Sequence, residues 1–219
     1  MVVNRDSQGP WETFVLLKHE DAPDIEMERF RQAVLKLQAE GKPVKIYCGA
    51  GTVPRPGFLN LDITCMSPRF LKNNPDEFFI FPFVDRKWDI PNDCIDYIFH
   101  EDFIEHIPQL KQIQFLAESL RVMKPGSWHR VNTPNIITAM KKYSNFKEGF
   151  RGVYTGEEKH GHIAIFSPLS LKEMSELIGY KEIIFSTRHH GVSPYAEKDF
   201  RPAGDRDEIL GNIYADLLK

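Results

Sequence analysis

Trp88-Asp-Ile-Pro-Asn-Asp-Cys-Ile-Asp-Tyr-Ile-Phe-His100-Glu-Asp-Phe-Ile-Glu-His106-Ile-Pro108, then a helical stretch, then Arg121-Val-Met-Lys-Pro-Gly-Ser-Trp-His-Arg-Val-Asn-Thr-Pro134, is the part of the chain that decides the fold. Ile95 to Phe99 is a short apolar run and reads as a buried strand. Leu110, Ile113, Leu116, Ala117 and Leu120 recur at helical spacing between Pro108 and Val122. Pro125-Gly126 breaks that helix, and Trp128 to Val131 gives the next strand. Strand, helix, sharp turn and strand together form the repeating unit of a parallel sheet covered by helices.

Working outward, Val44 to Cys48, Phe58 to Ile63, Phe78 to Phe83 and Lys181 to Ser186 read as further strands. Met27, Phe30, Val34 and Leu37 share one face of a helix over residues 25–40, stopped by Gly41. A later helix opens at Ser167-Pro168, or at a capping box from Ser170 to Glu173. It carries Leu171, Met174, Leu177 and Ile178 and is closed by Gly179. Ile209, Leu210, Ile213 and Leu217 suggest a C-terminal amphipathic helix. The pattern predicts an α/β, doubly wound, mostly parallel sheet in a single domain over residues 25–219, after a flexible arm over residues 1–24. Residues 141–161 carry Tyr143, Phe146, Phe150 and Tyr154 among glycines and lysines with no clean period, which reads as a lid loop.

The 219 residues suffice for one domain with a sizeable core. Apolar residues at 42% and charged ones at 27% fit a globular protein, and a net charge of −3 argues against a protein that lives on nucleic-acid phosphates. Cys48, Cys65 and Cys94 are an odd number without the paired spacing of a zinc site and fit a reducing, cytoplasmic setting. No apolar run is long enough to span a membrane, and none follows a basic N-terminus as in a signal segment.

In wound sheets, ligands bind at the carboxyl ends of the strands, near the first one. Lys45-Ile-Tyr-Cys-Gly-Ala-Gly51 ends there, and two glycines let the backbone turn sharply and approach a ligand without a Cβ in the way. Taken alone, that pair is also an ordinary tight turn. Asp62, at the predicted end of the second strand, is the next acid, and a carboxylate there can accept hydrogen bonds from ribose hydroxyls. A dinucleotide fingerprint would need glycine at Pro54, which disfavours NAD.

The stretch from Trp88 to Pro134 resembles the region that follows the cofactor motif in class I S-adenosylmethionine (AdoMet) dependent methyltransferases. Pro56-Gly-Phe-Leu-Asn-Leu-Asp62 is similar to the Pro-Gly-Trp-x-Asn-x-Asp of a compact branch, type 11-like, that shortens the helix between the first two strands. The resemblance spans roughly residues 44–186. It implies a seven-stranded or nearly seven-stranded Rossmann-like sheet and AdoMet as cofactor. By the same resemblance Gly49 and Gly51 form the glycine motif, Asp62 is the ribose acid, Asp85 meets the adenine, and His100-Glu101 lie beside the cofactor. The chain departs from the pattern at Tyr47, Val53 and Ser127, where an acid and two glycines are common.

Methyl transfer from a sulfonium needs alignment and, for some acceptors, a base. His106, in Ile104-Glu-His-Ile107, stands where the family often keeps Glu-His, and a near-neutral imidazole suits a base. Capping or packing of the following helix is the competing role. His160 and His162 precede an apolar run, and a polar acceptor pocket is the reading adopted for His162. With His189 and His190 they show no familiar metal-ligand spacing, so no metal is expected. The expected activity is methylation of an O or N atom on a small-molecule or carbohydrate-like acceptor, with no membrane or nucleic-acid partner and with homo-oligomerisation open. The alternatives are a non-catalytic AdoMet-fold binding or scaffold subunit and a nucleotide-dependent oxidoreductase.

Overall fold

Ile46 and Cys48 alternate with Tyr47 along Lys45–Cys48 (β1), and all three side chains are buried, so this strand is covered on both faces. The same holds for Leu59–Asp62 (β2), Phe78–Ile80 (β3) and Ile95–Glu101 (β4). In the computed structural model, which describes residues 22–51, 53–138, 162–196 and 212–219, these join Met123–Pro134 (β5), Glu182–Ser186 (β6) and Asn212–Leu218 (β7) in one seven-stranded sheet. The strand order is β3-β2-β1-β4-β5-β7-β6, and β7 alone runs antiparallel to its neighbours. Register places Cys48 beside Leu61 and His100, which brings the carboxyl ends of β1, β2 and β4 level.

One face of the sheet carries the main core. Phe30 and Val34 of Ala22–Ala39 (α1), Phe115 and Leu116 of Gln109–Val122 (α3) and Leu171 of Pro168–Ile178 (α4) pack on Ile46, Leu61, Ile98, Val131 and Ala215. On the opposite face Tyr47, Phe78, Ile80, Tyr97 and Phe99 meet Phe70 of the short helix Pro68–Asn73 (α2).

No helix separates β1 from β2 among the described residues. Arg55 covers part of that face instead: it is fully buried, with its guanidinium 4.2 Å from the Phe99 ring centre and 5.0 Å from that of Tyr47. Such desolvated cation–π contacts contribute about 2 kcal/mol. Asn60 clamps the segment, accepting from the Arg55 N–H at 2.7 Å and donating to the Arg55, Phe58 and Glu77 carbonyls at 2.9 Å each. Gly57 supplies the left-handed turn (φ 75°) between them. The Pro-Gly-Phe-x-Asn pattern therefore encodes a loop, closed from inside, that does the work of a helix.

Several elements differ from the sequence reading. Residues 212–218 form β7 in place of the expected helix. Ile213, Ala215 and Leu217 face the core, and Asp216 between them is fully buried because Arg130 of β5 pairs with it at 2.9 Å. β5 is longer than Trp128 to Val131, since Pro125-Gly126 sits within it at φ 82° for the glycine. β3 is shorter than expected, α1 starts already at Ala22, and Ser167 and Ser170 form the capping box of α4. The expected arm lies outside the described residues except for residues 22–24, and so does the lid. No described helix is long and apolar enough to cross a membrane.

Candidate active site

The turn after β1 is closed by the acid after β2. Gly49 has φ 72°, its N–H donates to the Leu61 carbonyl at 2.9 Å, and an added Cβ would lie 2.8 Å from Phe103 Cβ. The Gly51 N–H donates to Asp62 Oδ2 at 2.7 Å, and a Cβ on Gly51 would stand 2.9 Å from that oxygen. Asp62 Oδ1 accepts from the Ile63 and Thr64 N–H groups at 2.7 and 3.2 Å. Three of roughly four acceptor positions of this carboxylate are thus filled by backbone, and about one remains for a ligand hydroxyl. Burial pushes the Asp62 carboxyl above the usual range, and the three backbone N–H groups pull it back.

Asp85 stands on the exposed turn after β3, where Lys111 meets it at 3.0 Å. Glu101 is buried and accepts from Asn132 Nδ2 at 2.7 Å. Asn212 ties the same corner, donating to Asn132 Oδ1 at 2.6 Å and to Asp102 Oδ1 at 2.9 Å. The carboxyl ends of β4 and β5 and the start of β7 are therefore joined by one set of amides and acids.

His100 and Glu101 turn to opposite faces, as neighbours on a strand must. The His100 ring is enclosed between β4 and α3 against Phe103 and Phe115, with Nδ1 2.9 Å from Nε2 of His129. His129 Nδ1 lies 3.0 Å from the Tyr180 hydroxyl, which donates to the Leu116 carbonyl at 3.1 Å. That last bond fixes the tautomers: His129 carries its proton on Nδ1 and accepts from His100 Nδ1–H. Burial holds His100 down to about 3 and His129 well below its usual value, so both are neutral. The His100 side chain, expected beside the cofactor, is fully buried and belongs to this chain of bonds.

A second histidine pair lies at the rim. Glu105, on the single 3-10 turn Ile104–His106, is 1% exposed and accepts from Thr133 Oγ1 at 2.9 Å. Its Oε1 lies 3.9 Å from Nε2 of His106 and 3.9 Å from Nε2 of His162. The two imidazoles are 4.7 Å apart at 71°. His162 is brought here from far along the chain because the Ile163 and Ala164 N–H groups both donate to the Glu105 carbonyl, at 2.9 and 3.1 Å. Gln112 fixes the turn from below, donating to the Ile104 and Ile107 carbonyls at 3.0 and 2.9 Å. Glu105, Thr133 and Phe103 are positions that sequence reasoning missed. Only the Glu-His pairing gave a signal, and it drew attention to the histidine alone.

His160 lies outside the described residues, and His189 and His190 sit exposed after β6, His190 bonded to Thr187 at 2.6 Å, apart from the rim cluster. The three cysteines are buried thiols, pushed up by burial, to about 11 for Cys94. A cavity of about 740 Å³ opens beside α1 at the amino ends of β1 and β2, lined by Lys36, Lys45, Phe58 and Glu77, at the other end of the sheet from the glycine turn.

No protein-family model and no curated protein sequence matches the chain. Solved structures do. An AdoMet-dependent methyltransferase of Archaeoglobus fulgidus superposes with a TM-score of 0.54 at 13% identity, over 90% of this chain and 94% of that one. The 1,6-didemethyltoxoflavin-N1-methyltransferase of Burkholderia thailandensis, solved with its acceptor and S-adenosylhomocysteine (AdoHcy), gives 0.52 at 12% identity, over 89% of this chain and 80% of that one. At such identities the likeness is one of architecture, and the type 11-like branch stays a resemblance. With its strand order, its antiparallel β7 and these neighbours, the chain has the class I AdoMet-dependent methyltransferase fold.

Proposed function

We propose that this protein is a cytoplasmic AdoMet-dependent methyltransferase acting on an O or N atom of a small-molecule or carbohydrate-like acceptor. The observation that carries the reading is the pairing of two sites across the carboxyl end of β4: the Asp62-closed glycine turn on one side, and the Glu105, His106 and His162 cluster on the other. The turn fits the cofactor. Gly49 and Gly51 let the turn pack against Phe103 and Asp62 where a Cβ would clash, Asp62 keeps an acceptor position for a ribose hydroxyl, Asp85 can meet the adenine, and His100 and Glu101 end β4 beside the turn. Bound AdoMet supplies an electrophilic methyl group on a sulfonium.

His106 and His162 handle the acceptor. An imidazole within reach takes the acceptor's proton as the oxygen or nitrogen attacks, and the other orients it. With AdoMet bound, the attacking atom would bond to the methyl carbon as the carbon–sulfur bond breaks, and the ring nitrogen would hold the proton released. Calorimetry with AdoMet, AdoHcy and NAD tests the cofactor assignment, and AdoHcy release over a panel of hydroxyl and amine acceptors tests the reaction. Binding of AdoMet and AdoHcy without NAD is expected. NAD binding alone would sink the reading, and AdoMet binding without turnover on any acceptor would favour a binding subunit.

A further inference from the structure

We infer that Glu105, His106 and His162 form a divalent-cation site of the Zn²⁺ or Mn²⁺ class, and that the methyl acceptor binds this cation through an oxygen. The second half rests on the methyltransferase reading, and the first stands without it.

The three donor atoms lie within 4.8 Å of one another, and both Nε2 to Oε1 separations are 3.9 Å. These exceed a hydrogen bond and fall in the range that one shared cation could draw together. Around a four-coordinate Zn²⁺ with bonds of about 2.0–2.1 Å, ligand atoms stand about 3.3 Å apart. Closing the two His–Glu separations from 3.9 Å takes roughly half an ångström each, and the two ring nitrogens, within 4.8 Å of each other, close by rotation of the same side chains.

The supports around the cluster are those a metal site needs. Thr133 donates to Oε2 of Glu105 and leaves Oε1 turned to the two rings. The bonds from Ile163 and Ala164 to the Glu105 carbonyl fix His162 against Glu105, and Gln112 fixes the turn that carries Glu105 and His106. The donor set names the class of ion. Two imidazoles and one carboxylate suit a first-row transition cation, and the three ligands found among the described residues are the number a catalytic site of this kind supplies. One carboxylate charge against a dication leaves the site net positive, which favours an oxygen able to lose its proton. The His106 side chain is 35% exposed, so the cluster has access to solvent.

The cation changes the chemistry assigned to His106. A ring nitrogen that binds a metal cannot take a proton, so the metal replaces it by lowering the pKa of the coordinated acceptor hydroxyl. The proton leaves to solvent, the metal-held oxygen forms the bond to the methyl carbon, and the sulfonium becomes a thioether as its carbon–sulfur bond breaks.

The test titrates metal-stripped full-length protein with Co²⁺, read by its visible absorption, with Zn²⁺ as competitor. One Co²⁺ per chain, displaced by Zn²⁺, is expected, with affinity lowered about 100-fold or more in Glu105→Gln and in His162→Ala. His106→Ala, at the exposed end of the cluster, serves if a buried variant fails to fold. Absence of a bound-Co²⁺ spectrum, or equal affinity in wild type and in the folded variants, overturns the proposal. AdoHcy calorimetry on the same stripped sample separates the two readings. AdoHcy binding without Co²⁺ binding removes the cation alone, and Co²⁺ binding without AdoHcy binding removes the methyltransferase and leaves the cation.

Discussion

His100 with His129 and His106 with His162 are two histidine pairs of nearly the same internal geometry. Their ring centres are 4.9 and 4.7 Å apart and their planes cross at 76° and 71°. Everything around them differs. The inner pair lies among Phe103, Phe115 and Tyr180, and its proton positions are fixed by a chain of bonds that ends on a backbone carbonyl. The rim pair faces a buried carboxylate, and one of its rings, His106, has access to solvent. Ring geometry alone therefore says nothing about use. The inner pair is held neutral and reads as structural, while the rim pair has the charge and access that chemistry needs.

Substitution at the rim should give the largest effect and sharpen the contrast. His106→Ala is expected to lower turnover by about 10²–10⁴-fold, the range for losing a proton-transfer group, with a similar loss expected if it is a metal ligand. Its cost in folding stability should stay near 0.5 kcal/mol, as at other accessible positions away from the core. Kinetics and urea unfolding on the same sample read both numbers. Full turnover in a folded variant would make the rim pair structural as well, and the contrast would collapse.

The reverse substitution works on the core. His129→Ala removes a ring that bridges His100 and Tyr180, leaving a cavity and an unsatisfied partner at each end. A loss of about 2–4 kcal/mol in unfolding free energy is expected, with AdoHcy affinity nearly unchanged in the protein that still folds. A large drop in affinity with little loss of stability would place the inner pair in the site.

The fold was legible in the sequence because its strands are short apolar runs between helices, and the Trp88 to Pro134 stretch carries one whole unit. The C-terminal strand was not, because Ile209, Leu210, Ile213 and Leu217 fit a helical period as well. Asp216 argues against a buried strand until Arg130 is placed beside it. In the site, Gly49, Gly51 and Asp62 were legible as one turn and its acid. His100 stands near the end of β4 as expected, but parity turns its ring into the core with Ile98, which spacing along the sequence did not reveal. The role of Glu105 was hidden because its partners, Thr133 and His162, reach it only through β5 and through pairing far along the chain.

Asp62 lies between the two extremes, a half-buried group with about one position left for a ligand. Asp62→Ala should weaken AdoHcy binding by about 1.5–3 kcal/mol, the range for a hydrogen bond to a charged group. Asp62→Asn should be no milder. Both carboxylate oxygens accept from backbone N–H groups, so the amide would set its NH₂ against a donor whichever way it turns. Wild-type affinity by calorimetry in a folded Asp62→Asn protein would show that the carboxylate is not needed there.

Acid is the gentlest probe of the inner pair, and its sign follows from burial. His100 is held at about 3 in the folded chain, against an unfolded value near 6.5, so between those limits the unfolded chain binds the extra proton. The stability due to its neutral form is complete above about pH 6.5 and declines as pH falls towards 3, by about 1.4 kcal/mol per unit for one histidine. His129 is shifted in the same direction and steepens the decline. Unfolding free energies from urea titrations at pH 7.5, 6.5, 5.5 and 5.0 should therefore bend downward below pH 6.5. His100→Leu should flatten the bend even if its overall stability is lower. A flat wild-type profile, or the same bend in His100→Leu, would mean that the inner rings take up protons in the folded protein. The difference in surroundings between the two pairs would then not govern their protonation.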